Sequence, residues 1–481
     1  MEPIRTEILV LGAGPGGYAA AFYAADKGKK VLMVEKDKRL GGVCLNRGCI
    51  PSKAYLHAAK LLEEARESEF RGIKFSEPEI DIRKMRDWKE SILDKLATGV
   101  DNLAHRRGVD VMYGRGHFED SSTLRVETSE GQKFVKYDKA IISVGSVPAM
   151  PATFDLGNKR IMTSDQALEI EEIPNNLLVV GGGYIGMELG VVYATLGSKV
   201  VVVEFLDTIL AGADKDLVKY VKDYSDKKFH EIRLNTKVLT MKTSGKQIKV
   251  TMQQKDGEPY EELYDRVLVS VGRSPNTEDL GLRNTKVTTD PKGFIEVDKQ
   301  QQTKDPNIFA IGDVVGGALL AHKASREARV AVDVIIGNHN AFENIVVPAV
   351  VFTDPELAWC GLTEVEAKQR GIEVDVVKFP WASSGRAMSF DRPDGLTKMI
   401  IEPGTERILG VGIVGVGAGD LISEGALSIE MGATAKDVAE VVHPHPTLSE
   451  TLMECAERYY GIATHAYGPK RREEEEPQKQ Q

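Results

Sequence analysis

The sequence predicts an α/β protein with two Rossmann-like dinucleotide-binding domains and a C-terminal α+β domain. Three observations predict it. A glycine-rich turn follows a short aliphatic strand at Gly12-Ala13-Gly14-Pro15-Gly16-Gly17. The same arrangement returns at Gly181-Gly182-Gly183-Tyr184-Ile185-Gly186. From Pro348 onward such turns give way to strand runs broken by Asp354-Pro355.

Length and charge set the frame. At 481 residues the chain exceeds one ordinary core, so roughly two to four domains are expected. The formal charge of -10, from 62 basic and 72 acidic residues, offers no basic footprint for nucleic acid or anionic lipid. Ile8 to Ala25 has no charge and Leu177 to Gly197 has only Glu188. Glycines follow both aliphatic runs, so they read as strand, turn and helix, not as membrane spans. Glu2 and Glu7 are the wrong leader for a signal peptide. Four cysteines are too few for a disulfide scaffold, and a cytoplasmic location is expected.

Taken in order, Ile4 to Leu11 is a strand and an alanine-rich helix follows the first turn to about Lys27. Gly12 makes the turn, Gly14 admits a pyrophosphate and Gly17 lets helix and strand pack closely. The next strand ends in Glu35, an acid placed to bind a ribose diol. The alternative is a glycine-tolerant turn without a ligand. The second copy runs from Leu177 through Gly181, Gly183 and Gly186 to Glu204. Two fingerprints imply two nucleotides. A carboxylate at Glu204 repels a 2′-phosphate, which favours NAD over NADP.

Between the two, Arg83 to Arg107 reads as an amphipathic surface helix with Ile92, Leu93, Leu96, Val100 and Leu103 on its apolar stripe. Short strands are expected at 109–113 and 123–127. Lys139 to Pro148 (KAIISVGSVP) and Arg266 to Pro275 (RVLVSVGRSP) are near copies, which places matching crossover points between domains. Ile308 to Asp313 is a third aliphatic strand whose Gly312-Asp313 end is either a ligand position or a helix cap; a helix is expected from His322 to Ile336. Further helices are expected at 419–431 and 435–442. Residues 470–481 (KRREEEEPQKQQ) are too polar to fold.

Two constellations carry chemistry. In Gly41 to Lys53 (GGVCLNRGCIPSK), Cys44 and Cys49 stand five residues apart. In an ideal helix that spacing is about 7.5 Å along the axis and about 140° around it, beyond disulfide reach. A bridge therefore requires a bend, and Gly48 with Pro51 supplies one. Closing so short a loop would stabilise the fold by only about 2 kcal/mol, so a bridge here is redox-active, the alternative being two buried free thiols. Cys360 and Cys455 are expected to be small core residues. In His443-Pro444-His445-Pro446-Thr447-Leu448-Ser449-Glu450, Pro446 bars His445 from helical geometry and can start a helix at the next residue, so that Glu450 reaches back to the imidazole. The pair is either structural or a general base.

With these residues assembled, the chain resembles the flavin disulfide reductase family, in its lipoamide branch, from about residue 4 to residue 470. The resemblance implies FAD on Gly12, Gly14, Gly17, Glu35, Gly312 and Asp313, with Lys53 near the flavin and paired to Glu188. It implies NAD on Gly181, Gly183, Gly186 and Glu204. Gly116, Gly145, Ile185, Val238, Gly272 and Ala321 complete the expected cofactor contacts. Cys49 would be the thiolate beside the flavin, Cys44 the thiol that exchanges with dihydrolipoamide, and His445 with Glu450 the base, serving the other subunit of a homodimer. The implied domains are 1–149 and 275–346 for FAD, 150–274 for NAD, 347–470 for dimerisation, and a disordered tail at 471–481. The implied partner is a lipoyl-bearing protein of a 2-oxo acid dehydrogenase or glycine cleavage system, with no lipoyl domain fused to this chain. Val43, Ser143-Val144-Gly145 and Pro444 depart from the family pattern without removing the turn glycine. Tyr184 either covers an empty nicotinamide site or packs. Other NAD(P)H-dependent flavin disulfide reductases fit less well: mercuric reductases carry a C-terminal cysteine pair absent after Cys455, and glutathione-type enzymes choose NADP. A non-catalytic flavoprotein redox sensor or scaffold is the alternative of a different class.

Overall fold

The computed structural model describes residues 3–467, and the polar tail lies outside them. The described chain forms two compact units. One holds the residues up to Val203 together with Thr236–Glu343, the other Glu204–Asn235 together with the residues from Asn344.

The first unit is built on β1 (Ile4–Leu11), which pairs in parallel with β2 (Val31–Glu35) on one side and the strand Gly131–Ile142 on the other. Ile308–Ala310 joins that long strand, also in parallel. Leu9 and Val10 are fully buried, as expected of a parallel strand covered on both faces. One face meets α1 (Pro15–Asp26) and the helix Ala321–Ile335, where Ala20, Ala21, Ala24, Ala328 and Ala331 allow close approach. The other face is covered by Phe118, Leu124 and Val126 from antiparallel strands. A second parallel sheet orders Lys199–Val203, Asn176–Val180, Arg266–Val269 and Ile161–Met162. The near-copied segments meet each other: Ser146–Pro148 and Arg273–Pro275 form an antiparallel ribbon.

The helix α4 (Ile82–Arg106) forms as expected, but its apolar stripe is rotated from the expected one. Leu93 is buried with Lys89, Ala97 and Ala104, whereas Leu96 and Leu103 are exposed. Lys89 takes a core position because its stem is apolar and its ammonium pairs with Glu90 at 2.7 Å.

The second unit carries a five-stranded antiparallel sheet in the order Ala349–Val351, Glu356–Gly361, Ile408–Gly415, Leu396–Ile401, Asp375–Pro380. Trp381 is fully buried, and a Cβ at Gly395 or Gly415 would stand 2.5 or 2.3 Å from its ring. The indole N–H donates to Thr397 Oγ1 at 2.9 Å. Lys398, 1% exposed, sets its ammonium 2.7 Å from Asp214 and 3.1 Å from Asp216, with Glu364 also in contact. Helices occupy Ala418–Glu430, Ala435–Glu440 and Glu450–Tyr459. The last begins three residues later than Pro446 could have started it, because Thr447 and Ser449 close a turn through their own side chains, 2.9 Å apart.

Candidate active site

The cysteine segment is bent where the spacing demands. The helix α2 (Gly42–Arg47) stops at Gly48, whose φ of -146° and ψ of -109° leave helical space, and α3 (Cys49–Glu67) starts at once. Pro51 falls in the first turn of α3, where a missing N–H costs nothing. Asn46 fixes α2 by donating to the carbonyls of Leu40 and Gly42, both at 3.1 Å. Both cysteines are free thiols and hydrogen-bond to each other. The hydrogen bond from Cys44 holds Cys49 down to about 7; burial opposes this and the Lys53 ammonium adds to it. The same hydrogen bond, then burial, push Cys44 upward. Cys49 is therefore the first of the two to ionise.

Lys53 lies one helical turn past Cys49, on the same face. Its ammonium is 2.8 Å from Glu188 Oε2, a carboxylate only 4% exposed on the helix Tyr184–Thr195. Both cysteines open on one cleft of the first unit. Gly12, Gly14, Glu35, Lys53, Gly116, Gly145, Ile185, Glu188, Gly312, Asp313 and Ala321 line it with them.

The two glycine turns match at their first and last glycines. A Cβ at Gly12 would stand 2.4 Å from Ser143 O, and one at Gly181 2.5 Å from Ser270 O. Both take positive φ, +100° and +104°, which only glycine adopts cheaply. A Cβ at Gly17 would stand 1.8 Å from Gly12 O, and one at Gly186 2.1 Å from Gly181 O. The middle residues differ in kind: Gly14 meets only Gly42 Cα at 3.9 Å, and Gly183 meets nothing within 4 Å. Open space above an uncapped helix start fits a diphosphate. Glu35, which burial pushes up against its hydrogen bonds, accepts from the N–H groups of Ala13 and Asp37 at 2.7 and 2.8 Å. Val238 is buried in the core beside the second sheet, Gly272 sits at φ +125°, and Glu204 accepts from Leu206 N–H at 2.8 Å.

Two residues of the cleft escaped the sequence reading. Arg273 donates to Ser146 Oγ and Ser146 O, both at 2.7 Å, and Ser146 Oγ donates to Asp313 Oδ2 at 2.5 Å. The signal was present. Ser146 and Arg273 directly follow the matching glycines Gly145 and Gly272 of the near copies.

His445 and Glu450 belong to the second unit. Nδ1 of His445 lies 2.8 Å from Glu450 Oε1, and Glu450 Oε2 accepts from Thr447 N–H at 2.7 Å. Against the raising effect of burial, that N–H and the imidazole hold Glu450 below the usual carboxylate range. Cys360 and Cys455 are buried, 2% and 0% exposed, and burial pushes both thiols up to about 12. They are core residues, as expected.

The family model described as pyridine nucleotide-disulphide oxidoreductase matches residues 6–328, and the one for the dimerisation domain of that family matches 347–456. The chain belongs to the pyridine nucleotide-disulphide oxidoreductases. Within this family it is 45% identical over 464 residues to the dihydrolipoyl dehydrogenase of Vibrio cholerae, covering 96% of this chain and 97% of that one. It is 44% identical over 462 residues to the dihydrolipoyl dehydrogenase of Geobacillus stearothermophilus, covering 96% and 98%. Among solved structures, LpdA of Mycobacterium tuberculosis superposes with a TM-score of 0.88 at 25% identity, covering 94% of this chain and 99% of that one. The HOCl-induced flavoprotein disulfide reductase RclA of Escherichia coli does so with a TM-score of 0.84 at 26% identity, covering 94% and 99%. No helix among the described residues is long and apolar enough to cross a membrane.

Proposed function

We propose that the chain oxidises protein-bound dihydrolipoamide to lipoamide with NAD as electron acceptor, the reaction for which its Vibrio and Geobacillus relatives are named. The observation that carries this is the asymmetric thiol pair at the cleft: Cys49 held down to about 7 beside Lys53, and Cys44 pushed upward. In thiol–disulfide exchange the sulfur of lower pKa is the better leaving group. A substrate thiolate thus attacks Cys44 of the Cys44–Cys49 disulfide and expels Cys49 as thiolate.

His445 of the partner subunit takes the substrate's thiol proton through Nε2, the nitrogen that Glu450 does not engage. The second substrate thiol then displaces Cys44 and closes the lipoamide ring, and Cys44 leaves as thiol with the proton returned. Two substrate S–H bonds are lost and one S–S bond forms; the protein disulfide becomes the Cys49 thiolate and the Cys44 thiol, and the second substrate proton stays on His445 of the partner subunit. The first glycine turn, Glu35, Gly312 and Asp313 hold FAD, with Gly116, Gly145 and Ala321 along the cleft. Bound FAD supplies the relay by which the dithiol's electron pair reaches NAD as a hydride, restoring the disulfide and releasing one proton. The second turn, with Ile185, Glu204, Val238 and Gly272, receives NAD, and Tyr184, next after Gly183, lines the cysteine cleft.

In this reading residues 1–149 and 275–346 form the FAD domain, 150–274 the NAD domain and 347–470 the dimerisation domain. The enzyme is a cytoplasmic homodimer. Its partner is the lipoyl-bearing protein of a 2-oxo acid dehydrogenase or glycine cleavage system. Anaerobic stopped-flow absorbance tests the proposal: dihydrolipoamide or NADH should raise a long-wavelength thiolate-to-flavin band, and no band with either refutes it.

A further inference from the structure

The loop that presents His445 holds a second histidine whose role differs. His443 is two residues earlier, yet its side chain is 4% exposed against 72% for His445. Both of its nitrogens are engaged. Nδ1 lies 2.8 Å from Val441 O, and Nε2 lies 2.7 Å from Glu424 Oε1 on the helix Ala418–Glu430.

With Glu424 ionised, the donor count sets the state of this ring. A carbonyl oxygen only accepts, so Nδ1 carries a proton; an ionised carboxylate only accepts, so Nε2 carries one too. The loop also needs outside anchors, because Pro444 and Pro446 have no N–H to give. Thr447 Oγ1 donates to Pro444 O at 2.7 Å, and Glu450 holds Thr447 and His445. On the other side, the anchor is His443. The charged groups facing it are Glu424 and, from the helix Glu450–Tyr459, Glu457. Burial and then Glu454 raise the Glu457 carboxyl, while His465 and His443 lower it. His465 is itself paired to Glu454 at 2.5 Å.

We propose that His443 is a positioning residue, held as an imidazolium between Glu424 and the Val441 carbonyl, and that this clamp fixes the loop that aims His445 at the substrate thiol. The inference rests on the reading of His445 as the base. Loss of the clamp displaces His445 and slows proton removal from dihydrolipoamide, while leaving untouched the NADH half-reaction, which needs no substrate base.

The test uses the holoenzyme with Glu424→Ala and Glu424→Gln. Glu424→Ala lowers kcat for dihydrolipoamide oxidation on the order of 10²-fold, the loss typical of a misplaced catalytic group. NADH reduces it at the wild-type rate. Glu424→Gln recovers most of the loss, because the amide donates to the Nε2 of a neutral ring. With ¹⁵N-labelled histidine at neutral pH, His443 shows two protonated nitrogens in the wild type and only Nδ1 in Glu424→Gln. An unchanged kcat in Glu424→Ala, equal slowing of both half-reactions, or a wild-type His443 with one protonated nitrogen overturns the proposal. A wild type that cannot oxidise dihydrolipoamide overturns the catalytic reading instead, and leaves the nitrogen count standing.

Discussion

Lys53 Nζ stands 2.8 Å from Glu188 Oε2, joining the cysteine helix to the helix that opens the second nucleotide turn. The ammonium lowers the Cys49 thiol and the carboxylate raises it, so the pair tunes one sulfur from both sides.

Lys53→Met therefore shifts the pH dependence of the reduced enzyme. Cys49 is a thiol below its midpoint of about 7 and a thiolate above it, so the long-wavelength band grows as pH rises through neutrality. Removing the ammonium moves that rise to higher pH, and Glu188→Gln moves it to lower pH. Absorbance titration of the two-electron-reduced protein measures both.

The paired turns separate the two nucleotides. A methyl group at Gly17 or Gly186 drives into a carbonyl oxygen, an overpacking of about 1–3 kcal/mol. Gly17→Ala is expected to purify with little flavin. Gly186→Ala keeps its flavin and raises KM for NAD several-fold; flavin content and steady-state kinetics distinguish the two.

In the second unit, Lys398→Met strands three carboxylates, Asp214, Asp216 and Glu364, of which Asp214 is 6% exposed. Breaking a buried ion pair costs about 3–5 kcal/mol. Urea unfolding should show a lower midpoint, and an unchanged one would mean that the network is dispensable.

Glu450→Gln removes the carboxylate that orients His445. Dihydrolipoamide oxidation should fall by about 10²-fold or more, with flavin content unchanged. Presteady-state rates with dihydrolipoamide and with NADH separate this loss from a folding defect.

Much of this site was legible in the chain because its rules are local. The five-residue spacing of Cys44 and Cys49 excludes a regular helix, and the break at Gly48 follows. The return of Glu450 to His445 is set by a proline and one turn. Each glycine of the two turns answers to a neighbour a few residues away or to a partner strand. What stayed hidden depends on contacts that no local period encodes. Ser146 and Arg273 meet only because the ribbon pairs two distant segments. Glu424 reaches His443 across a loop and a helix. The stripe of α4 was misplaced because a core lysine looks polar in sequence.

The central claim is that the two cysteines have separate jobs, Cys44 facing the substrate and Cys49 the flavin. Absorbance spectra of the flavin-loaded Cys44→Ser and Cys49→Ser variants, taken without reductant, test it most directly. Cys44→Ser should keep FAD, lose lipoamide turnover and show the long-wavelength band, from a Cys49 thiolate freed of its partner. Cys49→Ser should lack the band, and finding it there, or finding Cys44→Ser without flavin, would contradict the assignment.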